Sequence, residues 1–182
     1  MQSIPKQFPL LPPGAALLRA SSAEMRVAMR RFITGVTVVT TFDENQTLVG
    51  MTASSFTSVS LEPPLVLVCL GEQSRTFHHC ARRGRYAINL LSDGQGDTAT
   101  RFAVRGGSRD DVCPWRVSER GLPLLAGSLA GFECRLVNSV MAGDHAILIG
   151  EVEAISTCED SGPLVYHDGR LFGLDAGIAA PA

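Results

Sequence analysis

A hydroxyl-rich segment between residues 51 and 60 is the first part of this sequence that could do chemistry. Six of the ten residues in Met51-Thr52-Ala53-Ser54-Ser55-Phe56-Thr57-Ser58-Val59-Ser60 carry a hydroxyl, and no charged residue lies between Glu44 and Glu62. Hydroxyls and free backbone N–H groups bind a phosphate, or the polar rim of a flat heteroaromatic ring, without adding a charge. The segment therefore indicates a site for such a group. A Ser/Thr-rich pair of strands, exposed on one face, explains the same composition.

Two shorter segments also carry candidate groups. Ser74-Arg75-Thr76 begins a predicted helix over 75–83, and a helix N-terminus with these residue types is a ready anion site. An ordinary N-cap with a solvated arginine is the alternative for this segment. His145 follows Gly143-Asp144 at a predicted turn, where it is either a turn cap or a positioned acid or base at the mouth of a strand.

Several catalytic signatures are absent from the sequence. It has no G-x-S-x-G elbow, no P-loop and no G-x-G-x-x-G after a predicted strand. No two of its four histidines have a metal-ligand spacing, and its five cysteines form no C-x-x-C pair. We therefore expect no hydrolase centre, no Rossmann crevice and no metal, and we expect reduced cysteines in a cytoplasmic protein.

Length and charge limit the class of protein. The 182 residues correspond to about one domain, and 45% apolar against 19% charged residues predicts a folded globule. The 16 basic and 18 acidic residues give a net charge of −2, which argues against a nucleic-acid partner. The longest apolar stretch, 63–71, is too short to cross a bilayer, so we expect no membrane association.

The elements that would position these groups are mostly strands. Residues 1–20 are rich in proline and predict a loose arm, followed by one domain over 21–176 and a tail over 177–182. Ser21 and Glu24 form a capping box that predicts an amphipathic helix over 22–32. Further helical patterns lie over 75–83 and 95–104, and a long polar loop covers 106–121. Strands are predicted over 35–42, 47–53, 65–70, 86–91, 129–141, 145–156, 163–166 and 170–174. Antiparallel pairs joined by tight turns predict a mainly β barrel or sandwich with helical additions.

Two long blocks and several short ones together resemble a known family. The long blocks are Phe32-x-Thr34-Gly35-Val36-x-Val38-Val39-Thr40 and Gly50-Met51-Thr52-Ala53-Ser54-Ser55-Phe56-Thr57-Ser58-Val59-Ser60-Leu61-Glu62-Pro63-Pro64. Shorter blocks downstream include Asn89-Leu90-Leu91, Glu133-Cys134, Gly143-Asp144-His145 and Pro163-Leu164-Val165-Tyr166. In this order, over about 25–175, the sequence resembles the flavin reductase family. Its members are small NAD(P)H-dependent reductase components of two-component flavin monooxygenases.

The resemblance implies a fold, cofactors and a site. It implies an antiparallel split β-barrel that forms a homodimer, with FMN or FAD in a groove near the dimer interface. NADH is the expected hydride donor in preference to NADPH, and a separate flavin-dependent monooxygenase is the expected recipient of the reduced flavin. His145 is the implied catalytic residue, close to the nicotinamide. The implied cofactor-binding residues are Thr34, Val36, Met51, Thr52, Ala53, Ser54, Ser55, Cys69, Leu70, Gly71, Ser74, Arg75, Thr76, Phe102, Arg109, His145 and Tyr166.

This role agrees with what the residues offer. Hydride transfer between a nicotinamide and a flavin is the chemistry of the cofactors, so the protein needs to bind and orient two rings rather than supply a triad or a metal. Three hypotheses stay open: a reductase that releases reduced flavin, a split-barrel flavoprotein that holds its flavin tightly and reduces another acceptor, and a barrel that binds a ligand without catalysis. The hydroxyl-rich segment together with His145 favours the first over the third.

Overall fold

A computed structural model of the chain describes residues 20–104, 106, 113–158 and 161–174. In this part of the chain, twelve strands and three α-helices are present. The strands are β1 (Thr34–Gly35), β2 (Thr37–Phe42), β3 (Leu48–Ala53), β4 (Thr57–Leu61), β5 (Pro64–Gly71), β6 (Arg85–Leu90), β7 (Trp115–Val117), β8 (Pro123–Leu125), β9 (Ala130–Ala142), β10 (His145–Thr157), β11 (Leu164–His167) and β12 (Arg170–Gly173). The helices are α1 (Ser22–Met29), α2 (Arg75–Arg83) and α3 (Gly96–Ala103).

Seven strands form one antiparallel sheet in the order β3-β2-β6-β9-β10-β5-β4. The edge strands β3 and β4 are joined in the chain by residues 54–56 alone. Because an extended chain spans at most about 3.5 Å a residue, the two edges lie within about 14 Å of each other at this connection. The sheet therefore curls into a barrel that is split between β3 and β4. This architecture confirms the predicted split β-barrel with helical additions.

The core lies on both faces of β2, which is buried along its whole length. Side chains alternate between the faces of a strand, so the adjacent residues Val38 and Val39 belong to different clusters. Val39 packs with Leu70 and Tyr86 inside the barrel. Val38 packs with Phe102 in a second cluster, against α3. Burial on both faces explains why the sequence of β2 is continuously apolar or β-branched rather than alternating.

A small sheet of order β1-β11-β12 lies beside the barrel. It pairs Thr34 with Tyr166 and Gly35 with Val165. The N–H of Asp168, in the turn between β11 and β12, donates to the carbonyl of Arg30 at 2.9 Å. The segment that follows α1 is therefore held against the closing hairpin, which the sequence predicts at the observed place.

Two predictions about elements are wrong in part. The helix predicted over 22–32 ends at Met29 and buries no side chain. Its apolar residues therefore do not pack against the described part of the chain, although their spacing is that of an amphipathic helix. Met25 and Phe32 are 61% and 62% exposed. The loop predicted over 106–121 is interrupted by β7, a three-residue strand too short to give a pattern, which pairs with β8. Residues 107–112 of that loop lie outside the described residues.

The cysteines are all free in the structure, in agreement with the predicted reduced state. Burial raises the pKa of the Cys80 thiol well above its ordinary value and that of Cys134 to about 12. These two thiols are therefore inert members of the core. No helix among the described residues is long and apolar enough to cross a membrane.

Candidate functional site

A groove of about 400 Å³ lies at the split of the barrel. Its volume is within the range of roughly 300–1,000 Å³ that is usual for small-molecule and cofactor sites. The walls come from the segment between α1 and β2 and from the connection between β3 and β4. The lining residues are Phe32, Ile33, Thr34, Gly35, Thr37, Ser54, Ser55, Phe56, Thr57 and Leu90.

Thr34 brings an unsatisfied hydroxyl to this groove. Its Oγ1 atom is buried and has no hydrogen-bond partner among the described residues. Leaving a buried polar group unpaired costs about 1–3 kcal/mol, so an unpaired hydroxyl in a groove indicates a ligand that supplies the partner. The register of β1 against β11 places Tyr166 directly opposite Thr34.

The connection between β3 and β4 is held in place by two other hydroxyls. Ser55 Oγ accepts from the Cys69 N–H at 2.9 Å and donates to the Cys69 carbonyl at 3.0 Å. Thr37 Oγ1 donates to the Ala53 carbonyl at 2.7 Å. Between these two fixed points, Ser54 is exposed to the groove, and its hydroxyl has no partner in the described part of the chain. Some hydroxyls of the segment therefore build the wall, and others remain available to a ligand.

A second group of expected residues meets at the end of β5. His145 is the register partner of Gly71, and Ile147 is the partner of Cys69. Since Ser55 is bonded to Cys69, the wall of the groove connects directly to the strand pair that ends at His145. The His145 ring is half exposed, and its Nδ1 lies 2.8 Å from Asp144 Oδ1. The hydrogen bond to His145 holds the pKa of the Asp144 carboxyl below its ordinary value.

The N-terminus of α2 follows Gly71 after a short turn. Ser74 Oγ accepts from the Phe77 N–H at 3.1 Å, which makes Ser74 an N-cap. Arg75 is 73% exposed and lies 4.0 Å from Asp43 Oδ2, while Thr76 is buried. The Ser74 hydroxyl is thus already used by the helix, as the N-cap alternative requires. A role of Ser74, Arg75 and Thr76 in anion binding stays a prediction.

The other expected residues lie behind these walls. Thr52 Oγ1 donates to the Ala99 carbonyl at 2.6 Å and ties β3 to α3. Met51 packs against the inner core. The side chains of Val36, Ala53, Leu70 and Phe102 are buried in the interior. Any contact of these four residues with a cofactor would come from their backbone. Arg109 lies outside the described residues.

The sequence prediction missed several residues that line the groove. Phe32, Gly35, Phe56 and Thr57 are in the two long blocks but were not assigned to the site, and Ile33 and Leu90 were not assigned either. Phe56 packs on Phe132 with ring centroids 5.3 Å apart. Phe32 was missed because its spacing matches the apolar face of the predicted helix over 22–32, which indicates a buried residue. The exposure of Phe32 is visible only in the structure.

Comparisons with known proteins agree on one family. Residues 29–175 match the model of the flavin reductase like domain. A probable flavin reductase of Rhizobium meliloti is 45% identical over 148 residues, which are 81% of this chain and 47% of that protein. The reductase subunit HsaB of a flavin-dependent monooxygenase from Rhodococcus jostii is 36% identical over 86% of this chain and 80% of its own.

Among solved structures, an NADH:FAD oxidoreductase of Streptomyces globisporus, SgcE6, in complex with NAD and FAD fragments, has a TM-score of 0.84 with this chain. It is 34% identical, and the alignment covers 91% of this chain and 100% of that one. The chain spans about half the length of two of the curated relatives that it matches.

Proposed function

The chain belongs to the flavin reductase like family, and from this premise we propose that it reduces free FAD or FMN with NADH and releases the reduced flavin to a separate monooxygenase. The observation that carries the proposal is the unpaired, buried Thr34 hydroxyl in a groove of about 400 Å³ at the split of the barrel. A flavin ring offers carbonyl oxygens and ring nitrogens to such a hydroxyl. The relatives named as reductases, one with NAD and FAD fragments bound, support the same choice.

The residues of the groove fit a flavin. Thr34 and Ser54 have hydroxyls free to donate, and Ser55 and Thr37 fix the backbone between them. Phe32, Ile33 and Leu90 give the groove apolar walls for a flat ring. When bound, the flavin and the nicotinamide supply the hydride transfer. The chain's part is to bind both rings, to align them and to offer hydrogen bonds to charge that develops on reduction.

His145 is proposed to orient the nicotinamide. Its half-exposed ring stands at the end of the β5–β10 pair, and Asp144 holds its Nδ1. The other ring nitrogen is left to a ligand, and a hydrogen bond from it to the carboxamide of the nicotinamide would fix the ring in place. The preference for NADH over NADPH is part of the proposal and follows the relatives named as NADH-dependent.

The remaining expectations are proposals at the scale of the whole protein. We propose a homodimer, and exposed apolar side chains on α1, β4 and β9 support it. A cytoplasmic location is supported by five free cysteines. The boundaries of the reductase domain are proposed at 21 and 176, close to the matched residues 29–175, with 1–20 and 177–182 as flanking segments.

The test is the loss of NADH absorbance with purified protein, with FMN and FAD added separately and a control without flavin. Oxidation that rises and saturates with free flavin is the expected result, and the better flavin identifies the preferred substrate. A protein that is yellow after purification and oxidises NADH without added flavin would instead be a flavoprotein with a tightly held cofactor. A folded protein that oxidises no NADH with either flavin contradicts the proposal and leaves a binding function.

A further inference from the structure

A second cavity, of about 160 Å³, shares no lining residue with the groove. It lies between the β7–β8 hairpin, the turn that follows β8, and the end of β10. Its polar lining includes Arg116, Gly127, Ser128, Ser156 and Thr157. Nothing in the proposed flavin reductase reaction uses this cavity.

One buried hydroxyl of this cavity lacks a partner among the described residues. Ser128 Oγ is buried and makes no hydrogen bond to any described residue. A Cβ on Gly131 would lie only 2.9 Å from Ser156 Oγ, so the glycine keeps open the space into which that hydroxyl projects. A buried hydroxyl without a partner indicates a water or a ligand that supplies one.

Arg116 is the one charged side chain on the described lining of the cavity. It makes no ion pair within the described part of the chain, whereas the nearby arginines in the chain, Arg120 and Arg135, both pair with Glu153. The amide of Asn89 is already committed: its Nδ2 donates to the Val38 carbonyl and to Thr40 Oγ1, and its Oδ1 accepts from the Leu125 N–H. The groups left to a ligand are therefore a guanidinium and hydroxyls, all able to donate.

We propose that this cavity binds a small tetrahedral oxyanion, with phosphate as its simplest form. A free guanidinium and several hydroxyl donors, with no carboxylate on the described lining, match the acceptors of a phosphate. The volume is below the roughly 300–1,000 Å³ of sites for larger ligands. It is well above the size needed for a single water molecule, which leaves room for one small anion. The proposal goes beyond the flavin reductase activity and does not depend on it.

The test is thermal unfolding of the flavin-free protein in a phosphate-free buffer, with sodium phosphate replacing sodium chloride at constant ionic strength. A ligand that binds the folded state raises the melting temperature in a saturable way. Arg116→Gln removes the guanidinium, and Ser128→Ala removes the unpaired hydroxyl. Arg170→Gln is the matched control, because Arg170 is an exposed arginine of β12 that belongs to neither site. Arg75→Gln tests the other expected phosphate site, at α2. Glycerol phosphate in a parallel series distinguishes a phosphate monoester from the free ion as the tighter ligand.

The expected result is saturable stabilisation of the wild type and of R170Q, and a dissociation constant at least about tenfold weaker in R116Q. Without phosphate, S128A should melt no lower than the wild type, because the Ser128 hydroxyl makes no hydrogen bond to any described residue. The variant should bind phosphate more weakly. If R116Q does not fold, the weaker phosphate binding expected of S128A still tests the proposal. The absence of saturable stabilisation in the wild type overturns the proposal. The proposal is also overturned if phosphate stabilises R116Q but not R75Q, because the ion would then bind at α2.

Discussion

Two threonines of the groove, only three residues apart, have opposite relations to the fold. Thr37 donates to the Ala53 carbonyl at 2.7 Å and so stabilises the wall of the groove. The Thr34 hydroxyl is buried and has no partner among the described residues, so it costs stability until a ligand arrives. The sequence alone cannot separate them, because only the pairing of the strands decides which carbonyl each hydroxyl meets.

The pair gives the first prediction. Thr34→Val is expected to leave the free energy of unfolding unchanged or slightly higher, and to weaken flavin binding about three- to tenfold through the loss of one hydrogen bond. Thr37→Val, the matched control, is expected to lower the free energy of unfolding by about 1–3 kcal/mol, because the Ala53 carbonyl loses its buried partner. Chemical denaturation and flavin titration measure the two effects. A T34V protein that is clearly destabilised yet binds flavin normally would contradict the assignment of Thr34.

His145 gives the second prediction. If His145 orients the nicotinamide, His145→Ala should raise the KM for NADH about three- to tenfold, the worth of one hydrogen bond, and leave flavin affinity nearly intact. His78→Ala is the control, since His78 is an exposed histidine of α2 with no place in the proposed site. Steady-state kinetics with NADH varied at saturating flavin measure the change. An unchanged KM would remove His145 from the site.

The sequence predicted those residues of the site that belong to a segment of unusual composition. The run of hydroxyls without charge marked the connection over 54–56, which does line the groove. Burial was not predictable: Leu70 and Phe102 lie in two different core clusters, and their roles there depend on which strands meet. The aromatic wall at Phe32 was missed because its spacing matched the apolar side of a helix.

Among the elements, strand β10 passes very close to the side chains of Tyr86 and Cys134 at Gly150. A Cβ on Gly150 would overlap Tyr86 Oη and lie 3.0 Å from Tyr86 Cζ and from Cys134 Cβ. The Tyr86 hydroxyl is itself buried without a partner in the described chain. Glycine is therefore required at this point for β10 to pass over the side chains of β6 and β9.

The third prediction tests this packing. Gly150→Ala is expected to lower the free energy of unfolding by about 1–3 kcal/mol, the usual cost of overpacking a core. Tyr86→Phe alone should be nearly neutral, because the lost hydroxyl has no partner among the described residues. The double variant should recover part of the loss, since the overlap with Oη is gone while the two 3.0 Å contacts stay. A double-mutant cycle measured by urea denaturation gives the coupling. Strictly additive effects would contradict the proposed contact.

The elements that the sequence predicts well are those with several buried positions. The strands β2, β5 and β10 lie within one or two residues of their predicted limits, because buried strands impose long apolar or alternating patterns. β4 is not among the individually predicted strands, and only the alternative of an exposed Ser/Thr-rich pair of strands over 51–60 covered it. Its exposed residues give no buried pattern, and it pairs with β5 at the edge of the sheet. The start of α1 was predicted correctly, because the capping interaction of Ser21 is local in the sequence. The predicted buried face of α1 is wrong, because no residue of the helix is buried against the described part of the chain.

At the scale of the whole molecule, the groove and the split of the barrel are one feature. The sheet has two edges, and the short connection over 54–56 brings them together without closing the hydrogen-bond ladder. The groove at this split is lined by residues 32–35, and the buried Thr34 hydroxyl faces it without a partner among the described residues. A ligand in the groove would supply that partner. The strand pattern alone predicted a barrel or a sandwich, because the closure depends on the order of the strands in the sheet. The split barrel was predicted only through the family resemblance.

The exposed apolar residues of the molecule lead to the last prediction. Among the described residues, β6 pairs with β9 only up to Arg135, so the second half of β9 has a free edge on that side. This half of β9 exposes Val137, Val140 and Met141. Apolar residues grouped at a free strand edge are typical of interfaces between subunits. We therefore expect sedimentation to give a homodimer. Val137→Asp should shift it toward the monomer, because a carboxylate buried at an interface without a partner costs more than the contact gains.

Val117→Asp is the matched control for this experiment. It places the same charge at a valine that is 55% exposed, against 49% for Val137, but on β7, which lies outside the main sheet. We expect V117D to remain a dimer at the concentration at which V137D dissociates. If the dimer carries the groove near its interface, V137D should also lose flavin affinity at that concentration and regain it when the protein is concentrated enough to associate. A wild type that sediments as a monomer, or a V137D dimer as stable as the wild type, would contradict the placement of the interface at β9.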